Sequence, residues 1–365
     1  MRRLAPFIFA AVVAVIIVPN IDGGRADAQQ RRRMAATSPE AVDEDFAIQG
    51  EFITTDVAQR LGASLVGLQV VALGDGQFQA VLYRGGLPGA GWDRAASWTL
   101  EGGRGDETAR LTGSGITADI SPGRTLLAKN DGALQIPLRR IRRVSPTLGA
   151  PPPPGARIVF SGQSTDALND ARITPDGLLA GGAITSFPVG DFFLHLEFRT
   201  PYMPYARGQG RGNSGVYIQR RYEVQILDSF GLSGEANECG GLYLQRPPDV
   251  NMCLPPLAWQ TYDISFRAAR WDAAGDKTAH ARITVLHNGK PVQDNVQITA
   301  KTGAGRPEGP AELPILFQDH GNPVHYRNIW MAPLGGVRPA APLQLTILPC
   351  RPSYAAAAPR LALRP

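Results

Sequence analysis

Short alternating segments fill the second half of this chain, and they limit its fold more than any other feature. Between residues 156 and 334, runs of roughly five to eight residues alternate apolar and polar side chains and end at Gly, Pro, Asn or Asp. Examples are FFLHLEFRT, SGVYIQRRYEVQIL, TYDISFRAA, ARITVLHNGKPV, LPILFQDHG and VHYRNIWMAPL. Such a series predicts two packed antiparallel sheets, so we expect an all-β jelly-roll or lectin-like sandwich. Asn288-Gly289 predicts a hairpin because a type I′ turn requires positive φ angles.

A smaller β-rich domain is expected to precede this sandwich. The 365 residues allow roughly two domains, and the 41 Gly and 31 Pro suit many short strands and turns. Alternating runs flank Gly74-Asp75-Gly76, which is a strong hairpin signal. We therefore expect a first domain at residues 47–145, a stiff proline-rich linker at 146–155 and the sandwich domain at 156–334.

The two ends of the chain are expected to lie outside these domains. Residues 1–28 combine a basic start, an apolar run and an Ala-Asp-Ala cleavage pattern, which indicates a secretory signal peptide. The apolar run is too short for a stable membrane span, so we expect an exported protein, periplasmic or extracellular. Residues 29–46 predict a flexible leader, and residues 335–365 an Ala/Pro-rich, mostly disordered tail. The net charge of +5 is diffuse, so nucleic acid is not an expected partner.

Export makes disulfide bonds feasible in this chain. Cys239 and Cys253 enclose a loop-like segment with Pro-Pro and Asn, so we expect these two residues to be bridged. The alternative is two unpaired buried thiols. Cys350 has no partner in either case.

Polar residues occupy one column of several predicted strands. Side chains alternate between the two faces of a strand, so each strand divides into a core column and an opposite column. The opposite columns contain His195 and Glu197, Glu223 and Gln225, Gln318 and His320, and Arg327. A curved sheet gathers such groups on a face that can hydrogen-bond a sugar, and a His with carboxylates also suits a divalent metal. The alternative is an ordinary solvated sheet face, which does not explain the choice of His, Glu, Gln and Arg.

Two further positions adjoin these columns. The segment RGQGRGNSG at 207–215 contains Asn213 and predicts either a glycine-rich rim that contacts ligand or a mobile loop. Asp228 follows a strand, where its carboxylate is expected to cap the next turn.

With these residues identified, the second domain resembles the 3-keto-disaccharide hydrolase family, also described as the 3-keto-glucoside-1,2-lyase/3-keto-2-hydroxy-glucal hydratase domain. The resemblance rests on GNSGVYIQRRYEVQILDSFG, ECGGLYLQRPPDVNMCLPPLAWQTYDISFRAARWD, ARITVLHNGKPVQDN and FQDHGNPVHYRNIWMAPL, which appear in this order and cover nearly all of residues 156–334. It implies a concanavalin A-like jelly roll as the catalytic domain. It also implies an enzyme that cleaves 3-keto-glycosides or 3-keto-disaccharides by C2 proton abstraction, elimination at C1 and hydration.

The resemblance also implies catalytic roles. Glu223 is the candidate base or metal ligand, with His320 as its partner. His195 and Glu197 follow, as metal ligands or as an acid–base pair. A divalent metal of unassigned identity, held by Glu223, His320 and His195, would polarise the ketone oxygen.

The substrate-binding candidates are neutral amides and one cation. They are Gln225, Gln318, Arg327 and Asn213, which would orient hydroxyl groups or the ketone oxygen. Asp319 either contacts the site, fixing a histidine tautomer, or caps the turn at Gly321-Asn322.

Two other functions remain open at this point. A non-catalytic carbohydrate-binding module has the same fold class, but the titratable His and Glu residues favour catalysis. An ordinary glycosidase with two carboxylates is the other alternative. A requirement for the 3-keto group distinguishes the 3-keto-glycoside-cleaving enzyme from it. The sequence does not determine the oligomeric state.

Overall fold

The computed structural model describes residues 34–56, 64–129, 135–335 and 345–349, and these are built almost wholly of antiparallel strands. The prediction of an all-β protein is confirmed. Three short 3₁₀ helices complete the described elements, at Pro39–Ala41, Glu44–Ala47 and Gly208–Gly210. None of the described helices has the length and apolar character needed to span a membrane. The expected signal peptide and Cys350 lie outside the described residues.

The first domain is a single sheet whose strands follow chain order. They are β1 (Gly50–Thr54), β2 (Val66–Gly74), β3 (Gln77–Arg84), β4 (Ser97–Arg104), β5 (Ala109–Gly113), β6 (Ile116–Ser121), β7 (Arg124–Lys129) and β8 (Gln135–Val144). Because β1 pairs with both β2 and β8, the sheet closes on itself around an apolar interior. The predicted hairpin joins β2 to β3, where Asp75 and Gly76 have φ angles of 54° and 70°.

A buried ion pair lies on the outside of this closed sheet. Arg143 donates to the two carboxylate oxygens of Glu51 at 2.7 and 2.5 Å, and to the Pro88 carbonyl at 2.7 Å. Both charged side chains are almost fully buried, at 0% and 2% exposure. Gln69 donates a further hydrogen bond to Glu51 at 2.9 Å. Each charge is therefore paired, as a buried charge requires.

The second domain contains two larger sheets and a short ribbon. The five-stranded sheet has the order β10 (Leu168–Asn169), β12 (Ile184–Thr185), β21 (Leu316–Phe317), β14 (Ser214–Ile218) and β15 (Tyr222–Ile226). The seven-stranded sheet has the order β11 (Leu179–Ala180), β22 (His325–Pro333), β13 (Phe192–Arg199), β16 (Gln260–Arg267), β19 (Ala281–His287) and β20 (Lys290–Ile298), with β9 (Arg157–Phe160) also paired to β22. The ribbon consists of β17 (Arg270–Trp271) and β18 (Lys277–Ala279).

One apolar core lies between these two sheets. The predicted core columns supply it from both sides: Leu194, Leu196 and Phe198; Tyr222, Val224 and Ile226; and Phe317. The predicted hairpin between β19 and β20 is confirmed, with φ angles of 51° at Asn288 and 77° at Gly289.

Strand β22 departs from simple alternation. Asn328 has a φ of 45°, and the register of β22 with β9 shifts between Ile329 and Trp330. As a result Ile329 packs in the core, although alternation from core residue Tyr326 would have placed Asn328 there. The irregularity turns the Asn328 side chain outwards.

The segments expected to be flexible make defined contacts where the structure describes them. Ala36 exchanges two backbone hydrogen bonds with Tyr202, at 3.0 and 2.9 Å, and Asp45 accepts from the Gly76 N–H at 2.8 Å. In the expected tail, β23 (Thr346–Pro349) pairs with β8. Apolar side chains add to these contacts: Ala36 and Phe46 pack on the core of the first domain, and Leu345 packs on that of the second.

Cys239 and Cys253 are free thiols in the structure, so the predicted disulfide is not formed there. Both lie in the core of the second domain. The Cys239 sulfur is 3.1 Å from the Tyr262 hydroxyl, and burial raises the pKa of the Cys253 thiol. The segment between them is fixed by hydrogen bonds such as that from Asn251 Nδ2 to the Ser229 carbonyl, at 2.7 Å.

The buried ion pair yields a stability prediction. Arg143→Ala is expected to lower the free energy of unfolding by roughly 3–5 kcal/mol, because Glu51 would remain buried without its cation. Arg110→Ala breaks the exposed pair with Asp119, so its effect on the free energy of unfolding is expected to be much smaller. Urea denaturation of both variants measures the difference, and equal costs would contradict the prediction.

Candidate active site

The outer face of the five-stranded sheet brings together several of the predicted site residues. In the pairing of β14 with β15, Gly215 lies opposite Gln225 and Tyr217 opposite Glu223. These four residues share the face that looks away from the core, because the residues between them pack inwards. Gln318 follows β21 on the same face, and its Nε2 lies 3.5 Å from the Tyr217 hydroxyl.

The carboxyl group of Glu223 is buried without a counter-charge. Only 2% of the residue is exposed. Burial raises the pKa of Glu223 to about 7, although a hydrogen bond with the Tyr217 hydroxyl acts in the opposite direction. Near neutral pH the group is therefore divided between its neutral and ionised forms. Such a group can both accept and release a proton.

Two glycines leave room for this carboxyl group. A Cβ atom at Gly215 would lie 2.5 Å from Glu223 Oε1, so glycine lets the Glu223 side chain cross the neighbouring strand. A Cβ atom at Gly303 would lie 3.5 Å from Glu223 Oε2 and 2.8 Å from the Tyr243 ring. The Glu223 N–H donates to Thr302 Oγ1 at 2.6 Å. The segment around Thr302 and Gly303 therefore covers the carboxyl group together with Tyr243.

A cluster of amides continues this face beside Glu223. Gln225 Nε2 and Asn213 Nδ2 donate to Gln209 Oε1 at 3.0 and 3.1 Å, and Gln209 Nε2 donates to the Asn237 carbonyl at 2.8 Å. Within the described structure, three buried oxygen atoms of the face have no hydrogen-bond partner: Asn213 Oδ1, Glu223 Oε2 and Gln318 Oε1. An unpaired buried polar atom is costly, so their grouping indicates a ligand-binding surface.

His195 and Glu197 lie on the outer face of the seven-stranded sheet. His195 Nδ1 is 2.6 Å from Asp263 Oδ1, and Glu197 accepts from Arg327 Nε at 2.7 Å and from Asn328 Nδ2 at 2.9 Å. Burial acts to lower the pKa of His195, but hydrogen bonds to Asp263 and Glu197 outweigh it and raise the pKa. Burial acts to raise the pKa of Glu197, but hydrogen bonds, that with His195 first, lower it to about 2.

This second cluster holds the linker between the domains. The Gly149 N–H donates to Glu197 Oε1 at 2.6 Å, and the Thr147 hydroxyl donates to Asp263 Oδ2 at 2.7 Å. The Ala150 carbonyl accepts from Trp330 Nε1 at 3.1 Å. The outward residues of this sheet therefore bind the chain segment that connects it to the first domain.

The structure does not bring His195, Glu197 and Arg327 together with Glu223. Alternation correctly predicts that all four point away from the core. It cannot show which of the two sheets carries each strand, and the outer faces of a sandwich point in opposite directions.

His320 and Asp319 lie at a turn beyond the five-stranded sheet. His320 is exposed. Asp319 Oδ1 accepts from the Gly321 N–H at 2.9 Å, and its other carboxylate oxygen pairs with Arg172. Asp319 therefore caps the turn, which was one of its two predicted roles. Asp228 likewise accepts from the N–H two residues later, at 3.3 Å.

The proposed metal ligands do not form a metal-binding group. Glu223 lies on one sheet, His195 on the other, and His320 on an exposed turn. Among the described residues, no three His, Cys, Asp or Glu side chains are arranged to hold a metal ion. The residue set does not fit a metal, so we derive no step through one.

Three residues of the face were not predicted from the sequence: Tyr217, Gln209 and Tyr243. Alternation in SGVYIQ places Tyr217 on the same face as Gly215. The sequence does not show that Tyr217 lies opposite Glu223 of β15. The turn between β14 and β15 consists of Gln219, Arg220 and Arg221, and the first two have a φ of 51°. These residue types are unusual at positive φ, so the hairpin gave no signal in the sequence.

Two packed antiparallel sheets with a polar outer face place the second domain in the class of lectin-like sandwich domains. Residues 157–332 match the family model of the 3-keto-alpha-glucoside-1,2-lyase-like domain, so the second domain is similar to that family. The match supports a carbohydrate-active enzyme of the glycoside-hydrolase type.

Three crystal structures from Parabacteroides distasonis ATCC 8503, each described as a "putative glycosyl hydrolase", are similar to the chain. The first is 28% identical, with coverage of 53% of this chain and 91% of that chain and a TM-score of 0.47. The second is 16% identical, with coverage of 48% and 93% and a TM-score of 0.36. The third is 23% identical, with coverage of 49% and 99% and a TM-score of 0.35. No curated protein matches the chain.

The raised pKa of Glu223 predicts a pH-dependent stability. A carboxyl group whose pKa is higher in the folded than in the unfolded chain stabilises the fold fully below its unfolded pKa, and this contribution is lost as the pH rises through about 7. Glu223→Gln keeps the shape without the charge. Between pH 5 and pH 8 the stability of the variant relative to wild type is therefore expected to increase by about 2–3 kcal/mol. Urea denaturation at both pH values tests this; parallel pH dependence of the two proteins would refute it.

Proposed function

We propose that the protein cleaves 3-keto-glycosides at the outer face of the five-stranded sheet, with Glu223 as the base that removes the C2 proton. The observation that carries this proposal is the buried carboxyl group whose pKa is raised to about 7. It lies in a domain that is similar to the 3-keto-alpha-glucoside-1,2-lyase-like family. A base with this pKa is half ionised at neutral pH and returns its proton readily. The signal-like residues 1–28 make export part of the proposal.

The chemistry follows from the ketone at C3. Because the ketone acidifies the C2–H bond, the Glu223 carboxylate takes that proton and the electron pair moves to the ketone oxygen, giving an enolate. When the ketone re-forms, a C1=C2 double bond appears and the C1–O bond to the leaving group breaks. The protonated Glu223 can then supply the proton that the leaving oxygen needs. Water adds its oxygen at C1 and a proton at C2, so the net reaction is hydrolysis.

Neutral donors beside Glu223 suit the enolate intermediate. Burial, followed by the hydrogen bond to Glu223, raises the pKa of Tyr217 well above its usual value, so its hydroxyl keeps its proton. The Gln318 amide is a second neutral donor within 3.5 Å of that hydroxyl. Hydrogen bonds from such groups stabilise charge that develops on a ketone oxygen. The unpaired oxygens of Asn213 and Gln318 can accept hydrogen bonds from sugar hydroxyls.

Access to Glu223 requires its cover to move. The carboxyl group lies beneath Gly303 and Tyr243, and a substrate reaches Oε2 only when these residues shift. Gly303 and Ala304 are exposed and small, so displacement of this segment loses little apolar burial. Closure over the bound sugar would then exclude water from the enolate.

A non-catalytic carbohydrate-binding module is the second candidate function. The amide cluster of Gln209, Asn213 and Gln225 favours it, because amides bind sugar hydroxyls without any chemistry. Binding alone gives no reason to bury a carboxyl group that lacks a counter-charge. The raised pKa of Glu223 therefore favours the enzyme.

The direct test is to incubate the full chain with a 3-keto-glucoside or with its unoxidised parent and to follow release of the aglycone. We expect cleavage of the keto substrate only. Glu223→Gln is expected to lower kcat by about 10²- to 10⁴-fold, because the base is lost. Glu101→Gln makes the same chemical change at an exposed position of the first domain and should leave kcat unchanged.

Other outcomes of this test separate the alternatives. Cleavage of the unoxidised parent would indicate an ordinary glycosidase. Binding of either sugar without cleavage would indicate a carbohydrate-binding module.

A further inference from the structure

The segment from β13 to β14 runs between the first domain and the amide cluster. At its start, Tyr202 pairs with Ala36 through two backbone hydrogen bonds, and its hydroxyl donates to Asp43 at 2.7 Å. At its end, Asn213 belongs to the candidate active site. The intervening residues therefore connect the first domain to the site.

The β2–β3 hairpin of the first domain contacts the middle of this segment. The Tyr205 ring packs on Gly74, where a Cβ atom would lie 2.5 Å from a ring carbon, and its hydroxyl donates to Asp75 at 3.3 Å. Arg207 Nη2 donates to the Leu73 carbonyl at 2.9 Å. Glycine is required at position 74 for two reasons. Its φ is 85°, and the Tyr205 ring occupies the space that a side chain would fill.

Arg207 also fixes its own segment. Its Nη1 donates to the Pro204 and Ala206 carbonyls at 2.6 and 2.7 Å. One guanidinium group thus joins the end of β2 to the residues that immediately precede the 3₁₀ helix Gly208–Gly210. The planar fork of arginine suits such a three-way contact, whereas a lysine ammonium lacks its geometry.

The short helix carries Gln209, which organises the amide cluster. Gln209 Oε1 accepts from both Gln225 and Asn213, at 3.0 and 3.1 Å. The helix itself has no core: none of its three residues is buried, and Gly208 and Gly212 have positive φ angles of 51° and 61°. A glycine-rich exposed segment loses much conformational entropy when ordered. Its order therefore depends on the hydrogen bonds of Gln209 and on contacts at its ends.

We propose that the β2–β3 hairpin of the first domain braces the Gln209 segment, and that Tyr205 and Arg207 are positioning residues for the candidate active site. This inference rests on the proposed function of that site. The brace keeps Gln209 against Gln225 and Asn213, so that their remaining polar atoms are oriented before a sugar binds. It gives the first domain a role in substrate binding without direct contact with the substrate. Preorganisation of this kind lowers the cost of binding rather than the barrier to proton transfer.

The test compares the double variant Tyr205→Ala/Arg207→Ala with Tyr205→Phe/Arg207→Lys in the full chain. The first pair removes the brace, and the second keeps a ring and a cationic donor. We expect the alanine pair to raise KM for the 3-keto-glucoside about tenfold while kcat stays within about threefold of wild type and the pH midpoint of kcat is unchanged. The Phe/Lys pair should give a KM between those of wild type and the alanine pair, because it keeps the ring contact with Gly74 but loses the guanidinium fork. Arg110→Ala, at an exposed ion pair of the first domain, is the control and should match wild type.

Hydrogen–deuterium exchange of residues 207–213 gives a readout that does not depend on activity. Faster exchange there in the alanine pair, with wild-type exchange in Arg110→Ala, is expected. Unchanged KM and unchanged exchange would overturn the proposal, as would a fall in kcat and unfolding free energy with KM unaltered. If the wild-type chain does not cleave 3-keto substrates, the proposed function fails, and the exchange measurement alone still decides whether the hairpin braces the segment.

Discussion

The burial of Glu223 without a cation is the constraint on which the account of the site depends. Three other glutamates are buried among the described residues: Glu51 pairs with Arg143 and Glu197 with Arg327, whereas Glu238 accepts hydrogen bonds from two backbone N–H groups. The pKa of Glu197 is correspondingly lowered to about 2, whereas that of Glu223 is raised to about 7. A cationic partner lowers the pKa of a buried carboxyl group and keeps it ionised. A buried carboxyl group without a cation has a raised pKa and can exchange a proton near neutral pH. The glycine opposite Glu223 in the sheet and the segment that covers it both serve this burial.

The two outer faces of the sandwich have different tasks. The face of the five-stranded sheet carries the carboxyl group, the amides and the unpaired oxygens. The face of the seven-stranded sheet uses its charged residues to hold the interdomain linker, through contacts such as that of Glu197 with Gly149. The first domain is therefore attached along one face, and its β2–β3 hairpin reaches the segment that leads to the other, through Leu73 and Arg207. Nearly all of the strand pairing in its closed sheet is internal, so the hairpin is held by neighbouring strands of its own domain.

Local patterns in the sequence predicted the elements better than their assembly. Alternation identified the core columns, and Asn288-Gly289 identified a hairpin, because both depend on neighbours along the chain. Placement of His195 and Glu223 on one face failed because sheet membership is set by long-range pairing. The burial of Glu223 beneath Gly303 could not be predicted either. Gly303 is 80 positions away along the chain, and its described neighbours form no strand that contacts the site. The burial that raises the pKa of the carboxyl group could therefore not be read from residue types alone.

The central claim is that Glu223 removes the proton at C2 of a 3-keto sugar, and isotope exchange measures this step apart from bond cleavage. A 3-keto-glucoside with a poor leaving group would be incubated with the protein in D₂O, and loss of the C2–H signal would be followed by NMR. The account predicts exchange at C2 that is catalysed by the wild-type chain and is lost in Glu223→Gln, while the variant still binds the sugar. Undiminished exchange in Glu223→Gln would contradict the claim and assign proton removal to another group.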